Sequence, residues 1–591
     1  MKYFFILFFI SNILHAQTIV TKFERSKGTQ TPTYSETIDW WKKMDASSPY
    51  VKMMEMGMSD AGFPLHLILV SGDKDFDIAS LKKKGKSIFL INNGIHPGEP
   101  DGIDASMLMV RDLDYWLQTE AGSMKRIYAD VKYYGSFKLP KNVVLAIIPV
   151  YNIGGCLNRS ADYRVDQNGP EEFGSRGNSQ NLDLNRDFIK CDSKEARSFA
   201  EIFHFLDPDV FLDNHVSDGA DYQHIMTLIC TQHNKLGGVM GEFLNKNFEP
   251  GLYASMKEKK YDLIPYVNSF SDTPDNGWPE YFEGPRYSSG YAALWHTFSF
   301  VAETHMLKPY NQRVYATYEL MRSFVDFIST NSATIKQLRD QTKQAVKTQA
   351  EFPVSWTLDR SQSSKRIYKG YMAGRKASEV SGLPRLFYDR SNPYEKEVPF
   401  FNFYTPNNFI KKPTAYIIPQ GWGSVIDRLK ANKITMTQLK KDTLIEVDVY
   451  RIDDYKTAPR QYEMHHMNSE VKTSVSSKKI QFRKGDYYIP MNQVGNRFLI
   501  ETLEPTAADS YFAWNFFDGI LGQKEGYSAY AFEDIAADYL KNNADLKNKL
   551  EQKRATDTAF AKNGRAQLNF VYENSPWAEP DYLRYPVYRV K

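Results

Sequence analysis

Two residues in the stretch INNGIHPGEPDG, residues 91–102, have side chains that bind metals. His96 and Glu99 lie three positions apart in a loop that directly follows an apolar run. An imidazole and a carboxylate are ligands of catalytic zinc, which takes three protein ligands and keeps one position open for water. The same spacing also occurs by chance in polar turns. The pair therefore indicates a metal site only if a third ligand lies elsewhere in the chain.

The third ligand should come from the end of another strand, because open α/β sheets bind ligands at the carboxyl ends of their strands. Among the 11 histidines, His215 is the one that follows a second strongly apolar strand, in VFLDNHVSDG. We therefore predict that His96, Glu99 and His215 bind one metal ion.

Two further segments carry side chains that could bind a substrate or act on it. The segment EEFGSRGNSQNLDLNRDF contains Arg176, Asn185 and Arg186, and a guanidinium binds a carboxylate through two parallel hydrogen bonds. Glu303 ends the apolar strand of LWHTFSFVAETH and is a candidate general base. Arg176 could instead be a surface charge and Glu303 a solvated strand end. Their occurrence together with the metal motif favours the functional interpretation.

Strands and helices alternate in the first half of the chain. Apolar runs predict strands in KSIFLINNGIH, NVVLAIIPVYN and DVFLDNH. Apolar residues spaced near 3.6 predict helices in DASMLMVRDLDYWLQ and DSKEARSFAEIFHFL. This alternation is typical of an α/β sheet that helices cover on both faces.

The order of the motifs resembles that of the zinc metallocarboxypeptidase family, typified by carboxypeptidases A and B. The nine-residue step from Arg176 to Asn185 is most similar to the branch of carboxypeptidases M and D. The resemblance covers roughly residues 30–345. The motifs, in chain order, are HxxE at His96 and Glu99, DLNRDF, His215, and Glu303 after an apolar strand.

The resemblance implies an α/β fold with a mixed, mostly parallel sheet and one Zn²⁺ per chain, bound by His96, Glu99 and His215. It also implies a peptide substrate with a free C-terminus. The implied roles are oxyanion binding and carbonyl polarisation by Arg176, terminal-carboxylate binding by Asn185 and Arg186, and proton transfer from zinc-bound water to the leaving amine by Glu303.

The sequence departs from the family in two places. Many members have Asn-Pro-Asp-Gly before the arginine loop, where this chain has NIGG at residues 152–155. The family's substrate-capping tyrosine precedes the catalytic glutamate, and three tyrosines compete for that role here. Spacing favours Tyr281 over Tyr287 and Tyr291.

We predict three segments: a signal peptide at residues 1–16, a zinc carboxypeptidase-like domain at 25–350, and a β-rich accessory region with C-terminal helices at 351–591. In the first segment, Lys2, an apolar core and Ala16 before Gln17 fit a cleavable secretory signal. The β-rich segments are PTAYIIPQ, DTLIEVDVYRI, KKIQFRKGDYYIP and NRFLIETLEP, followed by the helical AYAFEDIAADYLKNNADLKNKLEQKR.

Composition excludes several classes of protein. The 74 basic and 71 acidic residues nearly cancel, which gives no electrostatic reason to expect nucleic acid as a partner. Three scattered cysteines provide neither a disulfide framework nor a CxxC zinc motif, although one pair could bridge. No later segment has the roughly 20 apolar residues of a transmembrane helix.

Three functions remain open. The first is an exported carboxypeptidase, which the group of Arg176, Asn185 and Arg186 favours. The second is a related zinc amidohydrolase or deacylase, or a peptidase of cell-wall peptides, that uses the same site. The third is a non-catalytic binding protein, and the presence of Glu303 beside a full ligand set argues against it.

Overall fold

The computed structural model describes residues 19–122, 137–269 and 272–591. The predicted signal peptide, residues 1–16, lies outside the described residues. The chain forms two compact units. The first comprises the described residues up to Lys411 together with Arg428–Ile434 and Asn492–Glu501. The second comprises Lys412–Asp427, Thr435–Met491 and Thr502–Lys591.

The strands up to Lys411 are β1 (Val51–Met58), β2 (Pro64–Val70), β3 (Ser87–Asn92), β4 (Val143–Ile148), β5 (Arg159–Ser160), β6 (Phe173–Gly174), β7 (Val210–Ser217), β8 (Met226–Cys230), β9 (Ile264–Pro265), β10 (Trp278–Pro279), β11 (Phe298–His305), β12 (Glu351–Leu358), β13 (Ser364–Ala377), β14 (Pro384–Phe401) and β15 (Tyr404–Lys411).

The α-helices of the same part of the chain are α1 (Lys22–Arg25), α2 (Tyr34–Ser47), α3 (Ile78–Lys83), α4 (Asp101–Glu120), α5 (Ile153–Leu157), α6 (Lys194–Leu206), α7 (His233–Leu236), α8 (Gly238–Phe243), α9 (Glu249–Glu258), α10 (Ser288–Leu294) and α11 (Tyr310–Thr348). A 3₁₀ turn spans Leu184–Arg186.

An eight-stranded sheet in the described residues forms the core of the first unit, in the order β1-β2-β4-β3-β7-β11-β8-β9. Its central strands β4, β3, β7 and β11 are parallel, while β1, β2 and β8 pair antiparallel. Every residue of β3 and of β4 is buried. Because neighbouring residues of a strand point to opposite faces, both faces of these strands are covered. The predicted mixed, mostly parallel α/β sheet is confirmed.

The parallel strands bring the predicted site residues to one edge of the sheet. His96 follows the end of β3, and His215 lies near the end of β7. Glu303 lies near the end of β11 and pairs in register with His215. Three segments that are far apart in sequence therefore meet at the carboxyl edge.

The first unit extends past residue 350, where the sequence analysis placed a domain boundary. The short strand β10 pairs with β14, through Trp278 with Phe400 and Pro279 with Phe401. Trp278 and Phe400 share a buried cluster with Tyr222 and Tyr368. Residues 351–411 therefore belong to the same compact unit as the central sheet.

The remaining elements are the strands β16 (Ala415–Ile418), β17 (Thr437–Gln438), β18 (Thr443–Thr457), β19 (Asn468–Phe482), β20 (Tyr487–Pro490) and β21 (Tyr588–Val590), and the helices α12 (Gly423–Ala431), α13 (Asn496–Leu503), α14 (Ala529–Lys541), α15 (Ala544–Thr556), α16 (Thr558–Ala561) and α17 (Gly564–Glu573).

The second unit contains a six-stranded sheet, ordered β17-β20-β16-β21-β18-β19 among the described residues, and the C-terminal helices. A mostly β region closed by helices is therefore confirmed. The prediction of a strand in NRFLIETLEP was wrong, because this segment forms α13. A short apolar run does not distinguish a buried strand from a buried helix by periodicity. Within the described ranges, no helix is long and apolar enough to cross a membrane.

Candidate metal centre and active site

The loop that carries His96 and Glu99 is held by its own backbone. The Glu99 N–H donates to the His96 carbonyl over 2.8 Å, and α4 begins two residues later at Asp101. Gly94 has a φ of 65°, in the left-handed region that favours glycine. This turn leads the chain from β3 into the His96 loop.

The three predicted metal ligands converge in the structure. His96 Nδ1 lies 3.3 Å and His215 Nδ1 lies 3.2 Å from the same oxygen, Glu99 Oε2. One potential ligand atom from each residue lies within 4.8 Å of the other two, and all three residues are buried. Two nitrogens and one carboxylate oxygen on a buried surface form a donor set suited to catalytic zinc.

The outer nitrogens of both histidines are bound by carboxylates. His96 Nε2 lies 3.0 Å from Asp183, and His215 Nε2 lies 3.0 Å from Asp213. When a metal is bound, such contacts hold the proton on Nε2 and direct the lone pair of Nδ1 toward the metal. His96 Nδ1 is buried and has no hydrogen-bond partner within the described part of the chain. The geometry of these residues therefore fits a zinc ion.

Glu99 is kept in its charged form. Burial by itself favours the neutral carboxyl, but His96 and Arg164 lower the pKa of Glu99 well below its ordinary value. Arg164 donates to Oε1 over 2.7 Å, and the backbone N–H of Val216 donates to Oε2 over 2.8 Å. A charged, oriented carboxylate is the form that binds a metal cation.

Glu303 is half-buried beside these ligands and differs from Glu99 in its electrostatics. Burial raises the pKa of Glu303 to about 8, and the neighbouring charge of His215 only partly opposes this effect. A cation bound by His96, Glu99 and His215 would lower that pKa, because a nearby positive charge favours the carboxylate. Glu303 can therefore exchange a proton near neutral pH, as a general base requires.

A cavity of about 560 Å³ opens over this group of residues. Its volume lies within the range of roughly 300–1,000 Å³ that is common for small-ligand sites. The predicted site residues that line it are His96, Glu99, Arg176, Asn185, Arg186, His215 and Glu303. The structure thus brings all seven predicted residues to one cavity.

Arg176, Asn185 and Arg186 line one side of the cavity. The Arg176 side chain is half exposed and lies 2.9 Å from Asp183 and 3.6 Å from Glu99. The Oδ1 atom of Asn185 is buried with no hydrogen-bond partner among the residues that the structure covers. The Arg186 guanidinium stacks 4.6 Å from the centre of the Tyr287 ring. These polar groups can bind the carbonyl and carboxylate oxygens of a ligand.

Of the three candidate tyrosines, Tyr281 and Tyr287 line the cavity, with their ring centres 5.8 Å apart. Tyr291 lies on α10 in the core, where its hydroxyl donates to Asn432 over 2.7 Å. Tyr281 therefore stays the preferred capping residue, and Tyr287 is the alternative.

Sequence analysis missed four charged residues of the site, which are Arg164, Asp183, Asp213 and Glu283. Asp213 precedes His215 by two positions in β7, and this period-2 spacing places both side chains on one face of the strand. Asp183 starts the DLNR segment already singled out. No sequence signal marks Arg164 or Glu283. Both are distant in sequence from the metal ligands and come close to them only in the folded chain.

The NIGG segment also has a positioning role. The Asn152 side chain donates to the carbonyls of Ile95, over 3.2 Å, and Arg176, over 2.9 Å. It also accepts from the backbone N–H of Gly155 over 2.8 Å. Asn152 thereby ties the metal-ligand loop to the arginine loop.

In a comparison with solved structures, the chain is similar to metallo-carboxypeptidases of the carboxypeptidase A family. The metallo-carboxypeptidase from Burkholderia cenocepacia is 15% identical with a TM-score of 0.36, and the match covers 49% of this chain and 68% of that one. The carboxypeptidase A from Helicoverpa armigera is 14% identical with a TM-score of 0.34, over 51% of this chain and 74% of that one.

The metallo-carboxypeptidase from Pseudomonas aeruginosa, solved in complex with (2-guanidinoethylmercapto)succinic acid, is 14% identical with a TM-score of 0.35, over 51% of this chain and 69% of that one. No protein-family model and no curated protein matches the chain.

Proposed function

We propose that this protein is an exported zinc metallocarboxypeptidase that hydrolyses the C-terminal peptide bond of peptides. The observation that carries the proposal is the content of the 560 Å³ cavity. A buried His₂Glu donor set, a half-buried carboxylate whose pKa is raised, and three guanidinium groups all line it. A peptide end offers a carbonyl to polarise and a carboxylate to bind, which this combination matches.

Zinc held by His96, Glu99 and His215 would act as a Lewis acid that lowers the pKa of water to about 7 and polarises a carbonyl. Glu303 accepts a proton from the attacking water at its carboxylate and passes it to the nitrogen of the leaving amine. The adjacent strands β7 and β11 hold Glu303 in register with His215, so the base stays beside the reacting atoms.

The arginine side of the cavity binds the substrate. Arg176 donates hydrogen bonds to the scissile carbonyl oxygen, where negative charge develops. Arg186, supported by the Tyr287 ring, and Asn185 bind the terminal carboxylate. Tyr281 closes over the bound residue. A substrate without a free C-terminal carboxylate loses the interactions with Asn185 and Arg186.

The proposal is tested by digesting a mixed peptide library and C-terminally amidated copies, each with and without a zinc chelator, and analysing the products by mass spectrometry. We expect loss of one residue at a time, confined to free C-termini and abolished by the chelator. Cleavage that is indifferent to amidation would instead support the zinc amidohydrolase or deacylase function. Absence of zinc-dependent hydrolysis on peptides and amides would contradict both.

Export is proposed from the sequence of residues 1–16. Expression with the native N-terminus in a secreting host, followed by mass analysis of the mature chain, tests it. A product that begins at Gln17 supports export, and a product that retains Met1–Ala16 contradicts it.

A further inference from the structure

A second cleft of about 330 Å³ lies in the first compact unit and shares no lining residue with the 560 Å³ cavity. The α7–α8 connection, the end of α11, the start of β12 and Arg497 of α13 form its walls. The apolar part of the wall consists of Leu236, Val239, Ala345, Val346, Phe352 and Pro353.

Arg497 is the unusual residue of this cleft. Its guanidinium donates one hydrogen bond, to the Lys235 carbonyl over 2.6 Å, and forms no ion pair with the described residues. Burial lowers the pKa of Arg497, and Glu501 opposes this effect without forming an ion pair with it. Arg497 is half-buried, and a desolvated guanidinium without a carboxylate contact is costly, since no close opposite charge offsets the loss of water.

The remaining wall of the cleft offers no negative side chain. Neither aspartate nor glutamate is among the residues that line it, whereas both Lys235 and Arg497 are. The Lys235 ammonium donates to the Glu283 carbonyl over 3.1 Å and lies over the rings of Phe282 and Trp356. None of these three contacts of the Lys235 ammonium lines the cleft, so Arg497 supplies the positive charge of the cleft beside its apolar wall.

We propose that this cleft is a second ligand site, which binds a small organic carboxylate with an apolar body and no ammonium group. The carboxylate would accept hydrogen bonds from the guanidinium donors of Arg497 that the Lys235 carbonyl does not use. The apolar body would cover Val239, Ala345 and Phe352. An amino acid or peptide terminus fits less well, because no carboxylate is available to its ammonium group. This proposal stands apart from the proposed peptidase activity.

The test uses octanoate as the probe, measured by isothermal titration calorimetry on the full chain. Its comparison compounds are 1-octanol, which lacks the charge, and 2-aminooctanoate, which adds an ammonium group. We expect octanoate to bind at least tenfold more tightly than either compound. Arg497→Met should weaken octanoate at least tenfold, because it keeps the length of the side chain and removes the charge.

Two further variants locate the binding site. Arg186→Met removes a cation of the 560 Å³ cavity and should leave octanoate binding unchanged. Ala345→Phe, at an exposed wall position, should block the cleft without touching Arg497, and thermal unfolding checks that both cleft variants are folded. The proposal is overturned by equal affinity for octanol, by loss of binding in Arg186→Met with retention in Arg497→Met, or by absence of octanoate binding at millimolar concentration.

Discussion

At the scale of single residues, the site depends on carboxylates placed in different surroundings. Glu99 is buried but compensated by His96, Arg164 and a backbone N–H, so its pKa falls. Glu303 is half-buried, but the charges around it compensate less for the loss of water, so its pKa rises. One carboxylate is thereby suited to bind a cation and the other to transfer a proton.

Glu303→Gln should retain zinc and lose most turnover. Glutamine keeps the shape of the side chain but cannot accept the proton, and general-base catalysis contributes about 10²- to 10⁴-fold. The measurement is kcat on a free C-terminal peptide, with bound zinc determined by atomic emission as the control. Wild-type turnover at full zinc content would show that Glu303 is not the base.

Arg186→Met should lower activity on peptides with a free C-terminal carboxylate more than activity on amidated peptides. The variant keeps an apolar contact with Tyr287 but loses the charge that binds a terminal carboxylate. We expect kcat/KM to fall at least tenfold on free peptides and to change little on any residual cleavage of amidated copies. An equal fall in kcat/KM on free and amidated peptides would show that Arg186 does not bind the terminal carboxylate.

Asp104→Asn should change how stability depends on pH. Burial raises the pKa of Asp104 from 3.8 to about 7, so the folded state binds its proton more tightly than the unfolded state does. Asp104 therefore contributes stability that is fully present below about pH 4 and is lost as the pH rises through 7, by up to about 4 kcal/mol. Asparagine removes this fall and can still accept the hydrogen bond of Tyr310.

Thermal unfolding between pH 4 and pH 8 checks the prediction. The Tm of Asp104→Asn relative to wild type should increase steadily over that range. Parallel curves for the two proteins would mean that Asp104 is charged in the folded state throughout.

At the scale of elements, the short helix α5 determines where the arginine loop lies. A Cβ atom on Gly155 would come within 2.6 Å of the Ser175 carbonyl and 2.8 Å of the Asn152 side chain. Ser175 directly precedes Arg176 in the chain, and the Asn152 side chain donates a hydrogen bond to the Arg176 carbonyl. The glycine therefore allows the close approach of two loops, and Asn152 then joins them.

Gly155→Ala should lower both stability and activity. The added methyl group must displace either the arginine loop or Asn152, so we expect a lower Tm and roughly tenfold lower kcat/KM. Gly72→Ala is a matched control, because its Cβ would meet only Leu117 at an ordinary distance of 3.8 Å. Unchanged activity in Gly155→Ala would show that the loop adjusts without moving Arg176.

At the scale of the whole molecule, metal binding should couple to folding. The proposed ligands come from the loop after β3 and from β7, so a zinc ion bound to them would join segments that separate on unfolding. Zinc at 100 times its Kd should stabilise the folded state by about 2.7 kcal/mol. The Tm should rise with zinc in the wild type and stay constant in His215→Ala. An equal rise in both proteins would place the stabilising zinc elsewhere.

Patterns in the sequence were enough to identify which segments form the parallel core and which residues stand at its edge. Long apolar runs must be buried, and the polar residues that directly follow them must emerge at strand ends. His96, Glu99, His215 and Glu303 could be selected in this way. The sequence also determined the near balance of charge and the mostly β character of the second region.

The groups that complete the site could be recognised only in the folded chain. Arg164 reaches Glu99 across 65 positions of the chain, and no local pattern encodes a contact of that kind. The choice among the tyrosines, the pairing of β10 with β14 past residue 350, and the position of Arg497 in a second cleft depend on packing between distant segments. Local periodicity carries information over a few residues, whereas these contacts arise only when the whole core closes.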